Sequence, residues 1–139
     1  MKLSTRSRYG TRLLLDLAKH HEHGPIHLND ISKRQGISVK YLEQLTIPLR
    51  KAGLIKSCRG RKGGYLLKRS PKEISVGKIV RVLENGASLS RCVDSPESCD
   101  RVEACLTREI WVSATRAMYE RLDSITLKEL AEGPAGSCT

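Results

Sequence analysis

Apolar residues recur with a helical period near the start of the chain. Leu13, Leu14, Leu17 and Ala18 share one face of a helix predicted over residues 5–20, while Arg12, Asp16 and Lys19 fall elsewhere. Gly24 and Pro25 end it, and the intervening His20, His21 and His23 read as a solvated loop rather than a metal site. Asn29 is placed to cap a short helix from Asp30 to about Gln35, and Asp30 suits its first-turn dipole. Gly36 stops that helix, and Ser38 is placed to cap a second one running through Leu45. Two short helices joined through a glycine turn form a helix-turn-helix pattern. Pro48 predicts a kink or break near Thr46–Pro48, because a proline inside a helix forfeits a backbone bond at about 3 kcal/mol. Leu49 to Ala52 would then make a final turn.

Two short apolar runs follow, Leu54–Cys58 and Tyr65–Lys68, on either side of Arg59-Gly60-Arg61-Lys62-Gly63-Gly64. This predicts a β-hairpin with a glycine-rich, cationic tip. A hairpin directly after the second helix is the wing of a winged helix-turn-helix. The tip lacks the GxxxxGK[ST] spacing of a nucleotide-binding phosphate loop. Val76, Ile79, Val80 and Leu83 predict a helix over residues 75–84. Residues 86–104 have little periodicity and read as a loop. From about Cys105 to Leu122 a longer helix carries a wide apolar face of Leu106, Ile110, Ala114, Ala117 and Met118, flanked by Trp111 and Leu122. That face suits core packing or a dimer interface. Thr126 and Glu129 match a capping box for a short last helix through Ala131.

The expected fold is therefore mainly α with a small β-hairpin: a winged helix-turn-helix domain plus a long dimerisation helix. Residues 1–85 form the first part, with the helix-turn-helix at about 28–51 and the wing at about 54–68. Residues 86–104 form a cysteine-bearing loop, 105–132 the long and short C-terminal helices, and 133–139 a disordered tail.

Charge sharpens this picture. Residues 1–91 carry 20 Lys and Arg against 6 Asp and Glu, whereas residues 92–139 carry 5 against 9. The net charge of +10 is thus concentrated at the front, which points to a polyanionic partner for that half alone. If the helix after Ser38 enters a major groove, Ser38, Lys40, Tyr41, Glu43 and Gln44 lie where bases are read. Gln can pair with adenine and Glu can accept from cytosine N4. Arg59, Arg61 and Lys62 would lie over phosphates or in the minor groove. The longest apolar run, Leu13–Leu15, is broken at Asp16, and no leader pattern opens the chain, so a cytoplasmic protein without a membrane partner is expected. No Ser-His-Asp set, carboxylate pair or phosphate loop argues for an enzyme, and no catalytic residue is assigned.

Five cysteines are an odd number, which speaks against a closed disulfide framework. Cys92, Cys99 and Cys105 lie close together with C-x6-C-x5-C spacing. Clustered thiolates suit an iron–sulfur cluster, zinc or redox chemistry. Spacing wider than zinc knuckles favours a cluster. Cys58 reads as a small buried strand residue and Cys138 as incidental. A fourth ligand is open: Glu103, Glu109 or a group from a second subunit.

The segments MKLSTRSRYG, DISKRQGISVKYLEQL, LRKAGLIKSCRGRKGGYLL, CLTREIW and DSITLKEL together resemble the IscR-type winged-helix regulators, a family that includes IscR, NsrR and the cluster-free CymR. The resemblance runs from Met1 to about Ala131. It implies a homodimeric bacterial transcription factor that binds double-stranded DNA, with the helix near Cys105 crossing its partner. It also implies an iron–sulfur cluster on the three cysteines, of 2Fe–2S type in the IscR branch, which governs cluster-assembly genes. The position of Glu43 would discriminate between DNA sites, and Ser38, Tyr41, Gln44 and Arg59 would contact DNA. Two departures stand out. The IscR pattern has a histidine three residues after the third cysteine, where this chain has Arg108. The NsrR branch, with a 4Fe–4S cluster that senses nitric oxide, uses an N-terminal carboxylate where this chain has Arg8.

Overall fold

The structure is a computed structural model and describes residues 2–133. It has seven α-helices and one hairpin: α1 (Thr5–Lys19), α2 (Leu28–Gln35), α3 (Val39–Lys51), β1 (Ile55–Cys58), β2 (Gly64–Leu67), α4 (Val76–Glu84), α5 (Arg91–Asp94), α6 (Arg108–Asp123) and α7 (Leu127–Ala131). Short 3-10 turns stand at His21–His23, Pro71–Glu73 and Pro96–Ser98. The predicted class, mainly α with a two-stranded hairpin, is the observed one.

Leu13, Leu14 and Leu17 of α1 are almost fully buried at the centre of the core. Ile31 of α2, Leu42, Leu45 and Leu49 of α3, Ile79 and Leu83 of α4, and Leu127 of α7 surround them. Each such side chain contributes about 1.5–3 kcal/mol on burial. Gly10 lies against Leu83, where any Cβ would run into the leucine, so α1 and α4 pack closely there. The hairpin is antiparallel, pairing Ile55 with Leu67 and Cys58 with Gly64. Gly64 (φ +141°) lies against the Ile26 backbone, and Ile26 and Tyr65 exchange hydrogen bonds of 3.0 and 2.8 Å. The wing is thereby tied to the segment before α2.

Several boundaries differ from expectation. α3 runs unbroken through Pro48. Leu45 and Leu49, both buried, hold the helix on the core on either side of the proline. Their burial outweighs the lost bond, and Ala52 N–H continues the ladder to the Pro48 carbonyl at 3.0 Å. α2 starts at Leu28, with extended His27 as its cap, so Leu28 and Ile31 both reach the core and Asn29 lies inside the helix. α6 starts at Arg108, and Cys105 lies ahead of it. Residues 86–104 contain α5 and a 3-10 turn rather than loop alone. The last residues, with Cys138, fall outside the described residues from position 134 onward.

Candidate nucleic-acid interface and cysteine segment

The turn between α2 and α3 is fixed by two local devices. Gly36 takes a left-handed conformation (φ +67°) at the end of α2. The Ser38 hydroxyl oxygen then accepts from Tyr41 N–H at 3.2 Å and caps α3. Lys40, Glu43 and Gln44 are exposed on α3. Tyr41 is half-buried, its ring edge-on to Tyr9 of α1 with centroids 5.8 Å apart. Arg59, Arg61 and Lys62 are exposed round the wing tip, where Gly63 N–H bonds back to the Gly60 carbonyl at 3.0 Å. Among the described residues none of these cations is paired with a carboxylate. Their charge is free for phosphate.

The structure adds Arg6, which sequence reasoning did not single out. Arg6, Tyr41, Gln44 and Leu45 line a hollow of about 310 Å³ beside the base-reading candidates. Arg8 and Arg12 stand over the Tyr9 ring, at 6.0 and 5.4 Å from its centroid. The available signal was an N-terminal run of arginines without acidic residues on the helix that supports the helix-turn-helix.

That support has a buried ionic centre. Asp16 of α1 is 2% exposed and accepts from Arg34 Nε at 3.0 Å, from a second Arg34 nitrogen at 2.6 Å, and from the Gln35 amide at 3.0 Å. Burial works against ionisation of Asp16, but the hydrogen bonds from Arg34 and Gln35, with the Arg34 charge, prevail and hold its carboxyl below the usual range. Arg12 also bonds the Gln35 carbonyl. α1 thus fixes the end of α2 and, through the Gly36 turn, the start of α3. The predicted solvated histidines make only local bonds here, His20 Nδ1 to the Asp16 carbonyl and His21 Nδ1 to that of Ala18.

The three predicted metal-binding cysteines lie together along one segment. Cys92, in α5, is half-buried with Sγ 3.2 Å from Ser90 Oγ. Cys99 is exposed after the Pro96–Ser98 turn. Cys105 is half-buried with Sγ 3.3 Å from Thr107 Oγ1. The Thr107 hydroxyl, and next the Arg108 backbone N–H, push the Cys105 thiol down from its usual value. Soft thiol donors, one of them held toward thiolate, fit an iron–sulfur group chemically. The segment is not closed round one: among the described residues no three His, Cys, Asp or Glu side chains are gathered as a metal site. Arg108 instead donates through Nε to the Cys92 carbonyl at 3.4 Å.

Polar bonds attach this segment to α6. Tyr119 donates its hydroxyl to the Ala87 carbonyl at 2.7 Å, and Leu89 N–H donates to Thr115 Oγ1 at 3.3 Å. Arg81 of α4 makes a two-pronged pair with Asp123 at 2.5 and 2.9 Å. Only Thr115 and Tyr119 of α6 are buried. The helix packs on the rest of the chain through those two residues, while the predicted apolar face is half-buried at Ala114, Met118 and Leu122 and exposed at Leu106, Ile110, Trp111 and Ala117. Leu106, at 90% exposure, precedes the helix, and Ile110 at 56% and Trp111 at 42% lie in its first turn.

Comparison with known proteins agrees with the fold. Residues 3–133 match the family model described as "Rrf2: Iron-dependent Transcriptional regulator". The chain is 50% identical to Protein rrf2 of Nitratidesulfovibrio vulgaris over 130 residues, 94% of this chain and 87% of the relative. The structure of CymR, the global cysteine regulator of B. subtilis, superposes with a TM-score of 0.77 at 42% identity, covering 94% of this chain and 96% of that one. T. potens IscR gives 0.77 at 40% identity, covering 98% and 94%. These homologues are transcriptional regulators and not enzymes. No described helix is long and apolar enough to cross a membrane. With its winged helix-turn-helix and basic front half, the chain belongs to the Rrf2 family of transcriptional regulators.

Proposed function

We propose that this regulator binds promoters under the control of an iron–sulfur cluster held by Cys92, Cys99 and Cys105, and that its targets are genes of iron–sulfur cluster biogenesis. The observation that carries the reading is the placement of three thiols on one segment braced against α6, next to the apolar residues suited to a second copy. In this reading the protein acts in the cytoplasm as a homodimer. Residues 1–85 hold DNA, 86–104 and Cys105 hold the cofactor, and α6 joins the two copies.

A bound cluster supplies a redox- and iron-sensitive link among the three thiols, 2Fe–2S being favoured over 4Fe–4S by the likeness to IscR. The chain's own groups do the rest. Thr107 and the Arg108 N–H stabilise the Cys105 thiolate. Ser38 caps the recognition helix, Lys40, Tyr41, Glu43 and Gln44 meet base edges, and Arg59, Arg61 and Lys62 meet phosphates. The likeness to CymR and the bond from Arg108 to the Cys92 carbonyl favour a second reading, a cluster-free thiol regulator.

Anaerobic purification with a visible spectrum and with iron and acid-labile sulfide assays separates the two. A coloured dimer with two iron and two sulfide per chain, lost in Cys92→Ala and binding promoters differently from the apo form, is the expected result. Four of each would indicate the 4Fe–4S type. Zinc without sulfide, or apo and reconstituted protein binding every promoter alike, would overturn cluster control.

A further inference from the structure

We propose that Ile47 is a specificity residue that reads the C5-methyl group of thymine in the major groove. This rests on the reading that α3 enters that groove. The other aliphatic residues of α3 behave as core: Leu42, Leu45 and Leu49 are buried and Val39 is half-buried against the core. Ile47 is 50% exposed. A single apolar side chain on a surface is ordinary. Its position on the helix is what distinguishes this one. The exposed positions of α3 are Lys40, Glu43, Gln44, Ile47, Arg50 and Lys51. At about 100° per residue, Ile47 falls between Glu43 and Gln44 when viewed down the axis, one turn further along. Lys40, Ile47 and Lys51 lie within about 40° of one another. The branched aliphatic group therefore stands in the middle of the face that carries the polar base-reading candidates.

The chemistry of the groove leaves one complement for it. Guanine, adenine and cytosine present hydrogen-bonding edges there, and the thymine methyl is the one apolar group on offer. A β-branched side chain is stiff about χ1, so little freedom is lost on contact. The position of the target follows from helix geometry. Ile47 is three residues beyond Gln44 and four beyond Glu43, about 4.5–6 Å along the axis. That corresponds to about one to two base-pair steps of 3.4 Å. The methyl read by Ile47 should lie that far from the base whose identity depends on Gln44 or Glu43. Arg50 and Lys51, exposed beyond it, are placed for the flanking phosphates.

The test uses a duplex selected by the full-length protein from a random library, with each thymine in turn replaced by deoxyuridine, which lacks only the methyl. Affinity is read by fluorescence anisotropy at one fixed salt concentration. Wild type should lose about fourfold at one thymine in each half-site, the worth of one buried methyl-sized group. Ile47→Ala should bind the thymine and uracil duplexes alike, and Ile47→Val should show an intermediate ratio. Because the readout is a ratio on one protein, a change in fold stability does not imitate it. Equal uracil penalties in wild type and Ile47→Ala, or no penalty at any thymine in wild type, would overturn the proposal while leaving DNA binding intact. Failure to select any duplex would remove the DNA-binding reading, and this proposal with it.

Discussion

Truncating Arg34 should cost more stability than truncating Asp16, although the two share one ion pair. The reason is where each charge is left. In Asp16→Ala the Arg34 side chain, 38% exposed, turns to water and the Gln35 amide loses a single bond. Loss of the bonds to the carboxylate then costs about 2 kcal/mol, since the freed cation is rehydrated. In Arg34→Ala the Asp16 carboxylate stays buried, with only the Gln35 amide bond as a direct partner and the His20 ring 3.5 Å away. An uncompensated buried charge of this kind costs about 3–5 kcal/mol. Adding Asp16→Ala to Arg34→Ala should therefore restore stability, because the stranded charge disappears. The pH dependence has a definite sign. Wild-type Asp16 is held below its ordinary value, so its stabilising contribution is complete above the unfolded-state value of about 3.9 and fades as pH falls through the folded one. Without Arg34, burial acts almost alone and raises the folded value, so the penalty appears only as pH rises past the unfolded value. The gap between wild type and Arg34→Ala should be widest at neutral pH, be narrower near the unfolded value of about 3.9, and close only once pH falls below the lowered folded value of wild type. Urea unfolding at fixed protomer concentration, at pH 7 and at pH 4, measures all four proteins. Additive losses, or an Asp16→Ala loss as large as that of Arg34→Ala, would refute the buried-charge reasoning.

Two further outcomes follow from the exposed surfaces. Arg59→Ala, Arg61→Ala and Lys62→Ala should each weaken binding to all duplexes and lower the magnitude of the log affinity–log salt slope by about one, whereas Glu43→Ala should redistribute preference among sites; anisotropy titrations over a salt series on unrelated duplexes check both. Ile110→Glu with Trp111→Ala should convert the proposed dimer to monomer with the monomer fold retained, because neither side chain belongs to the buried core; native mass and circular dichroism read this, and an unchanged dimer would place the interface elsewhere.

Features encoded by a few neighbouring residues were legible in the chain itself. Gly36 and Ser38 announce the turn and cap of the helix-turn-helix, and the run from Arg59 to Gly64 announces the hairpin; each lies within one or two residues of its expected place. Features that depend on distant partners were not. Pro48 signals a break in isolation, and only the burial of Leu45 and Leu49 overrides it. Asp16 looks like a solvent-facing helix residue until Arg34 and Gln35, 18 and 19 positions later, are folded against it. Arg6 acquires a role only when α1 lies beside Tyr41 and Gln44. The start of α6 was misplaced by a turn because an apolar period extends back to Leu106, a residue the fold leaves 90% exposed.

The same contrast bears on how a signal at the cysteines would reach DNA. α1 and α4 are joined by buried leucines and by Glu84, which accepts from Ser4 N–H and from the hydroxyls of Ser4 and Ser7 at 2.5–2.9 Å. The cysteine segment is attached to α6 by bonds from Tyr119 and Leu89 and the long 3.4 Å bond from Arg108 to the Cys92 carbonyl, and α6 to α4 by the half-exposed Arg81–Asp123 pair with the Arg81 guanidinium over the Tyr119 ring. Net contributions of about 1 kcal/mol per bond, and at most about 1 kcal/mol for the surface pair, make that attachment the weaker one. A rearrangement that gathers three thiols therefore displaces α6 more cheaply than it disturbs α1, α4 or the helix-turn-helix held by Asp16. In the proposed homodimer, where α6 with its exposed Ile110 and Trp111 joins the two copies, the first consequence of such a rearrangement would fall on the placement of one copy against the other. Half-site spacing is set by that placement. Under the proposed cluster control, the cysteines would act on which pairs of half-sites a dimer spans, with each helix-turn-helix kept intact.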